Sequence, residues 1–163
     1  MALSLFSNKN RIINLILNDH SIRYVELKQR DPLTPGKWGE RFLPEGVIAN
    51  GYIQDGETLE HILEQCVDDW KIKGRKVRFI VPDPFVIIRK VPIPADIEDA
   101  EIRGYLYMEI GASIHLPFDE PVFDYTILSD DGENKELMLY AAQEEKVTEY
   151  AELLEEVKLK PVA

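Results

Sequence analysis

One cysteine, Cys66, is all that 163 residues contain, so no intrachain disulfide can form. The chain is therefore not a small scaffold stapled by disulfides. Cations are in deficit as well: 19 Lys and Arg stand against 30 Asp and Glu, a net charge of −11. That balance argues against a nucleic-acid face, because phosphate would be repelled. Long apolar runs are missing too. Ile12–Leu17 is broken by Asn14, Phe85–Ile88 is short, and a membrane helix needs roughly 20 apolar residues. The N-terminus places Lys9 and Arg11 after Leu3, Leu5 and Phe6, the reverse of a signal peptide. A cytoplasmic protein is expected, with Leu3, Leu5 and Phe6 free to meet a membrane or partner or to dock on the core.

Motifs of common chemistries are missing. No Gly-x-x-x-x-Gly-Lys-Ser/Thr phosphate loop exists, and none of the nine glycines forms a Gly-x-Gly pair. His20, His61 and His115 are far apart, and Cys66 has no cysteine neighbour at metal spacing. Acidic pairs such as Asp68-Asp69, Asp130-Asp131 and Glu155-Glu156 read as solvated faces or loop tips, not as catalytic dyads. Trp38 and Trp70 read as packing residues.

What is present is a clear order of elements. Ile12–Leu17 is short, apolar and β-branched, hence a buried strand. Asn18-Asp19-His20-Ser21 is a turn cluster, and Ile22–Lys28 returns as a second strand. Two prolines and a glycine in Asp31–Gly36 mark a loop, and Trp38–Leu43 reads as a third strand. The period then changes. Leu59, Ile62, Leu63, Cys66, Val67 and Trp70 form one helical stripe, with Asp55 as N-cap and Gly74 as stop. Val77–Val81 is the next strand. Beyond the stiff Pro82-Asp83-Pro84, Phe85–Val91 is a strand closed by Pro92-Ile93-Pro94. A helix capped by Asp96 runs to about Ile110, with Ile102, Tyr105, Leu106 and Ile110 on one face. Val122–Leu128 and Glu136–Ala142 form a hairpin across a polar loop. A last helix spans about Gln143 to Val157, burying Val147, Tyr150, Ala151, Leu154 and Val157. The first part reads β-β-β-α-β and the second β-α-β-β-α, with a boundary near Pro82–Pro84.

Charge divides almost at that boundary. Residues 1–94 hold 14 cations and 12 anions, net +2, whereas residues 95–163 hold 5 and 18, net −13. Simple solubilisation of the second part by its acidic residues is one expectation, and two surfaces with different tasks is the other.

Specific residues carry a family resemblance. Ser21-Ile22-Arg23-Tyr24-Val25-Glu26-Leu27 after an apolar strand resembles the opening hairpin of actin-like ATPases. Val81-Pro82-Asp83-Pro84 is followed by Ile88-Arg89-Lys90-Val91-Pro92-Ile93-Pro94, then Ile102 through Glu109, Ile114-His115-Leu116-Pro117-Phe118 and Phe123-Asp124-Tyr125. This order resembles the type IV pilus assembly protein PilM family, relatives of the cell-division protein FtsA.

The resemblance implies an α/β fold: a partial actin-like (ribonuclease H-like) first lobe with an inserted small α+β subdomain. Residues 1–84 would be part of subdomain 1A, 85–158 the insertion called 1C, and 159–163 the start of a return to 1A. PilM-like proteins are roughly twice this long, so the chain is expected to be an N-terminal fragment. The family's phosphate hairpin reads Asp-x-Gly-x-x-x-x-Lys. Here Ile16 stands at the Asp position, Asn18 at the Gly position and Arg23 at the Lys position. Asn18, Asp19, His20, Ser21 and Arg23 would thus form a vestigial phosphate loop, and no ATP hydrolysis is expected. No cofactor is expected in this fragment and no metal site. The resemblance leaves ATP and magnesium open only for a full-length protein, whose second lobe would supply the rest of the site.

The implied role is a cytoplasmic scaffold at the inner face of the membrane. It would hold the N-terminal tail of a PilN-like inner-membrane protein, alongside other pilus assembly proteins. The tail would lie in a cleft between lobe and insertion, with Arg89, Tyr105, Glu109, Pro117 and Phe118 as candidate contacts. An actin-like ATPase and an FtsA-like filament former are the competing expectations.

Overall fold

The computed structural model describes residues 12–30, 33–130, 132 and 134–162, with side chains of Gln29, Arg30 and Asn134 left aside. Leu3, Leu5 and Phe6 lie outside the described residues. The chain divides into two compact units, residues 1–84 with 148–163, and residues 85–147.

The first unit is built on a five-stranded sheet of order β10-β6-β1-β2-β3. Strand β1 (Ile13–Leu17) alternates buried and open positions, as a half-buried strand must. It pairs antiparallel with β2 (Ser21–Arg30), which pairs antiparallel with β3 (Leu33–Phe42). On its other side β1 pairs parallel with β6 (Lys76–Ile80), and β6 pairs parallel with β10 (Lys160–Pro161). Register sets Leu15 beside Tyr24 and Phe79, so these three share a face. Helices cover that face. Trp70, at the end of α1 (Gly56–Trp70), lies against Tyr24 with ring centroids 4.6 Å apart. Tyr150, in α3 (Glu144–Glu156), stacks near Phe79 at 6.4 Å. Leu59, Leu63, Cys66 and Val67 are buried, as the helical stripe requires.

Local chemistry fixes the ends of α1. The Asp55 carboxylate accepts from the Thr58 N–H at 3.0 Å and from the Thr58 hydroxyl at 2.6 Å. The stop is Lys71, in the left-handed region at φ 57°, three residues before the expected Gly74. A short hairpin absent from the sequence reading, β4 (Ile48–Ala49) and β5 (Tyr52–Ile53), turns on Asn50-Gly51, both at positive φ. Asn-Gly is the usual chemistry for a two-residue hairpin.

Beneath the sheet Glu26 is almost fully buried and pairs with Arg75 at 3.1 Å. Burial foremost, and then the Glu26 charge, push the Tyr24 hydroxyl pKa up, while Arg75 pulls it down.

The second unit is a three-stranded antiparallel sheet of order β7-β9-β8, after a single helical turn at Asp83–Phe85. Its strands are β7 (Val86–Pro94), β8 (Pro121–Asp130) and β9 (Asn134–Gln143). Val91, Ile93, Leu137 and Leu139 form a core with Ile102 and Leu106 of α2 (Ile102–Glu109). The expected close at Pro92-Ile93-Pro94 is instead strand. β7 is an edge, where alternate N–H groups face away from the sheet and proline is tolerated.

The helix expected from Asp96 starts only at Ile102. Lys135, buried in β9, explains the delay. Its ammonium donates to the Ile97 carbonyl and the Asp99 carboxylate, both at 3.0 Å, and pairs with Asp130 at 3.2 Å. These contacts hold residues 97–99 in a turn. Two further expectations change. Leu33–Gly36 belongs to β3, where the register against β2 shifts twice, so the proline and glycine sit at irregularities. Trp38, expected to pack, is 73% exposed. The last helix and strand also bear on the units: the expected insertion ran to 158, whereas residues from Thr148 group with the first unit.

Candidate functional site

The hairpin between β1 and β2 is where the resemblance places phosphate chemistry. Its turn is held by its own side chains. Asn18 Oδ1 accepts from the His20 N–H at 3.0 Å, the Ser21 N–H at 2.9 Å and the Ser21 hydroxyl at 3.4 Å. The Asp19 carboxylate reaches the β4–β5 turn and accepts from the Asn50 N–H at 2.7 Å and the Gly51 N–H at 2.9 Å. Successive N–H groups at positive φ form an anion-binding nest, and an internal carboxylate fills it. The same turn is held from below, where the buried Tyr150 hydroxyl donates to the Gly51 carbonyl at 2.8 Å.

Asn18, Asp19 and His20 line a cleft of about 480 Å³ together with Asn50, Gly51 and Asp83. Ser21 is buried. Arg23 is not part of that cleft. Its side chain lies on the sheet face opposite the helices and pairs with Glu40 at 2.5 Å. There it borders an apolar hollow of about 550 Å³ with Ile16, Val25, Trp38 and Ile80. Ile16 is paired in register with Arg23 and offers no oxygen to a cation. No cluster of side chains able to hold a metal ion occurs among the described residues.

Cys66 is buried, and burial pushes its thiol up to about 11. It lies on the buried stripe of α1 with Leu59, Leu63 and Val67, the setting of a packing thiol.

The five expected partner contacts fall in the second unit, around the loop after α2. Arg89 Nη1 donates to the His115 carbonyl at 3.1 Å. The Glu109 carboxylate accepts from the Ser113 hydroxyl. Pro117 is exposed and Phe118 half-buried, while Tyr105 is packed against the core of the unit. Arg89 and Glu109 thus brace the loop that carries Pro117 and Phe118.

The sequence matches the type IV pilus assembly protein PilM family over residues 16–163. The chain belongs to the PilM family. Its fold is similar to that of a solved chain described as the PilM-PilN type IV pilus biogenesis complex. The TM-score is 0.78 at 22% identity, over 95% of this chain and 47% of that one. It is also similar to the cytoplasmic domain of EpsL, an inner membrane component of the type II secretion system of Vibrio cholerae. That match has a TM-score of 0.52 at 14% identity, over 93% of this chain and 55% of that one. No curated protein sequence matches the chain. The chain therefore spans about half the length of the solved chains it matches. The mixed α/β architecture is the one this chain shares with that PilM-PilN complex chain.

Sequence reading missed a second cleft in the second unit, of about 440 Å³. Tyr107, Ile110 and Phe123 wall it, and Asp119, Glu120 and Glu144 stand around it. One signal was available. Tyr107 falls out of phase with the buried stripe of α2 and is 76% exposed. A large aromatic on an open helix face is a contact candidate.

Proposed function

We propose that the chain is an adaptor of type IV pilus assembly that holds the cytoplasmic N-terminal tail of a PilN-like inner-membrane protein. The observation that carries this reading is the membership of residues 16–163 in the PilM family. The likeness of fold to a PilM chain known in complex with PilN supports it over nearly all of this chain. No helix among the described residues is long and apolar enough to cross a membrane, so attachment would come through the partner. In this reading the tail meets the loop carrying Pro117 and Phe118, with Arg89, Tyr105 and Glu109 holding the loop in place.

The same reading assigns no hydrolysis to the hairpin. The residues present do not fit a bound nucleotide phosphate. The N–H groups of His20 and Ser21 already donate to Asn18, and those of Asn50 and Gly51 to Asp19. The position that should bring a carboxylate toward magnesium carries Ile16. Arg23 is engaged by Glu40.

The test is fluorescence anisotropy of a labelled peptide carrying the first residues of the PilN-like protein. Saturable binding by the chain is expected, weakened about tenfold or more by Phe118→Ala, since apolar anchors dominate such contacts. A flat titration with folded protein contradicts the reading.

A further inference from the structure

We propose that the cleft beside α2 receives a Lys or Arg side chain of the partner's tail, which makes the second unit a reader of charge. The inference rests on the adaptor reading and adds to it the chemistry of what is recognised. The cleft has apolar walls from Tyr107, Ile110 and Phe123 and carboxylates at Asp119, Glu120 and Glu144. None of these three carboxylates joins an ion pair among the described residues. All three side chains are exposed, so a cation can approach them from solvent. A metal ion does not match, because these oxygens do not converge as a metal-binding group. A long side chain does. Its aliphatic stem lies along aromatic walls while its charged head reaches separate carboxylates.

The adjacent strand position already shows this chemistry within the molecule. Arg103 lies over Phe123 at 5.5 Å and Tyr125 at 5.9 Å from the ring centroids, and it pairs with Asp124 at 2.8 Å. Phe123 is thus shared between an internal cation and the cleft. Charge identifies the visitor. The second unit, residues 85–147, holds 5 Lys and Arg against 14 Asp and Glu, a net −9. Cytoplasmic segments next to a membrane helix are enriched in Lys and Arg, so the tail of an inner-membrane protein is a basic partner by topology. Complementary fields of this kind set specificity and association rate.

The experiment is calorimetric titration of the chain with the partner's N-terminal tail peptide, and with the same peptide in which every Lys and Arg is replaced by Gln. Each is measured at about 50 mM and about 500 mM salt, which spans weak to strong screening. The protein variant is Asp119→Asn with Glu120→Gln and Glu144→Gln. The expected result is about tenfold weaker binding for variant or neutral peptide, and loss of the salt dependence seen with the native pair. The variant is also expected to melt at an unchanged temperature, because all three side chains are exposed. That unchanged melt separates lost recognition from misfolding. Equal affinity and equal salt dependence for native and variant protein overturn the cleft assignment while leaving the adaptor reading intact. No binding of the native peptide by folded native protein overturns both.

Discussion

Gly39 shows how closely single residues are specified. It lies in β3 where Tyr24 and Trp70 press together, and a Cβ there would sit 2.7 Å from both rings. Neither ring is a flexible chain end, so something rigid must move. Gly39→Ala is expected to destabilise the chain by about 1–3 kcal/mol, the usual range for overpacking. Urea denaturation checks this through a lower midpoint at unchanged slope. Asn18 and Asp19 are equally specific in another way. Each spends a side-chain oxygen on backbone donors that a phosphate loop would leave open. Sequence reading found the altered positions by register with the family pattern. It did not find the bonds from Asp19 to residues 50 and 51, because they join segments distant in sequence. Trp38 illustrates the converse. An aromatic residue usually packs, yet its neighbour across the strand pair, Val25, lies on the face the helices leave open.

Elements follow the sequence wherever one periodicity acts alone. The stripe from Leu59 to Trp70 with its Asp55 cap reads directly as α1, because cap and apolar period agree. The cap also makes a pH prediction. The Thr58 hydroxyl foremost, and then its N–H, hold the Asp55 carboxyl below its ordinary value. The folded form therefore favours the ionised carboxylate. The stability it supplies is present above the unfolded carboxyl's pKa and is lost as pH falls through the lower folded one. Asp55→Ala is expected to lower the melting temperature at neutral pH, and the gap to native protein should shrink in acid. Thermal melts followed by circular dichroism across that range check it; a gap independent of pH contradicts the cap's ionic character.

Elements were misread where tertiary contacts override local signals. Pro92 and Pro94 look like breakers but lie on an edge strand. The start of α2 looks like Asp96, but Lys135, far along the chain, takes the preceding turn for itself. The Asn50-Gly51 hairpin was legible in principle from its dipeptide, but strands of two residues leave no periodicity.

At the scale of the molecule, the parts visible in sequence were the change of element pattern and of charge near Pro84. One compact unit also begins at Phe85. Helix α3 carries its stripe of Tyr150 and Leu154 back to the first sheet through Tyr150. The acidic excess beyond residue 94 contributes the carboxylates around the α2 cleft. That cleft was not legible in sequence, because its walls come from a helix, a loop, a strand and the start of α3.

We propose that this PilM-family chain binds a membrane protein's tail and does not use its hairpin for nucleotide. Amide spectra of isotope-labelled chain, recorded with the PilN-like tail peptide and separately with magnesium ATP, decide between the two ligands. The peptide is expected to shift amides of the loop around Pro117 and Phe118 and of the cleft beside α2, while ATP leaves Asn18–Arg23 unmoved. Shifts at Asn18–Arg23 with ATP, and none anywhere with the peptide, would contradict it.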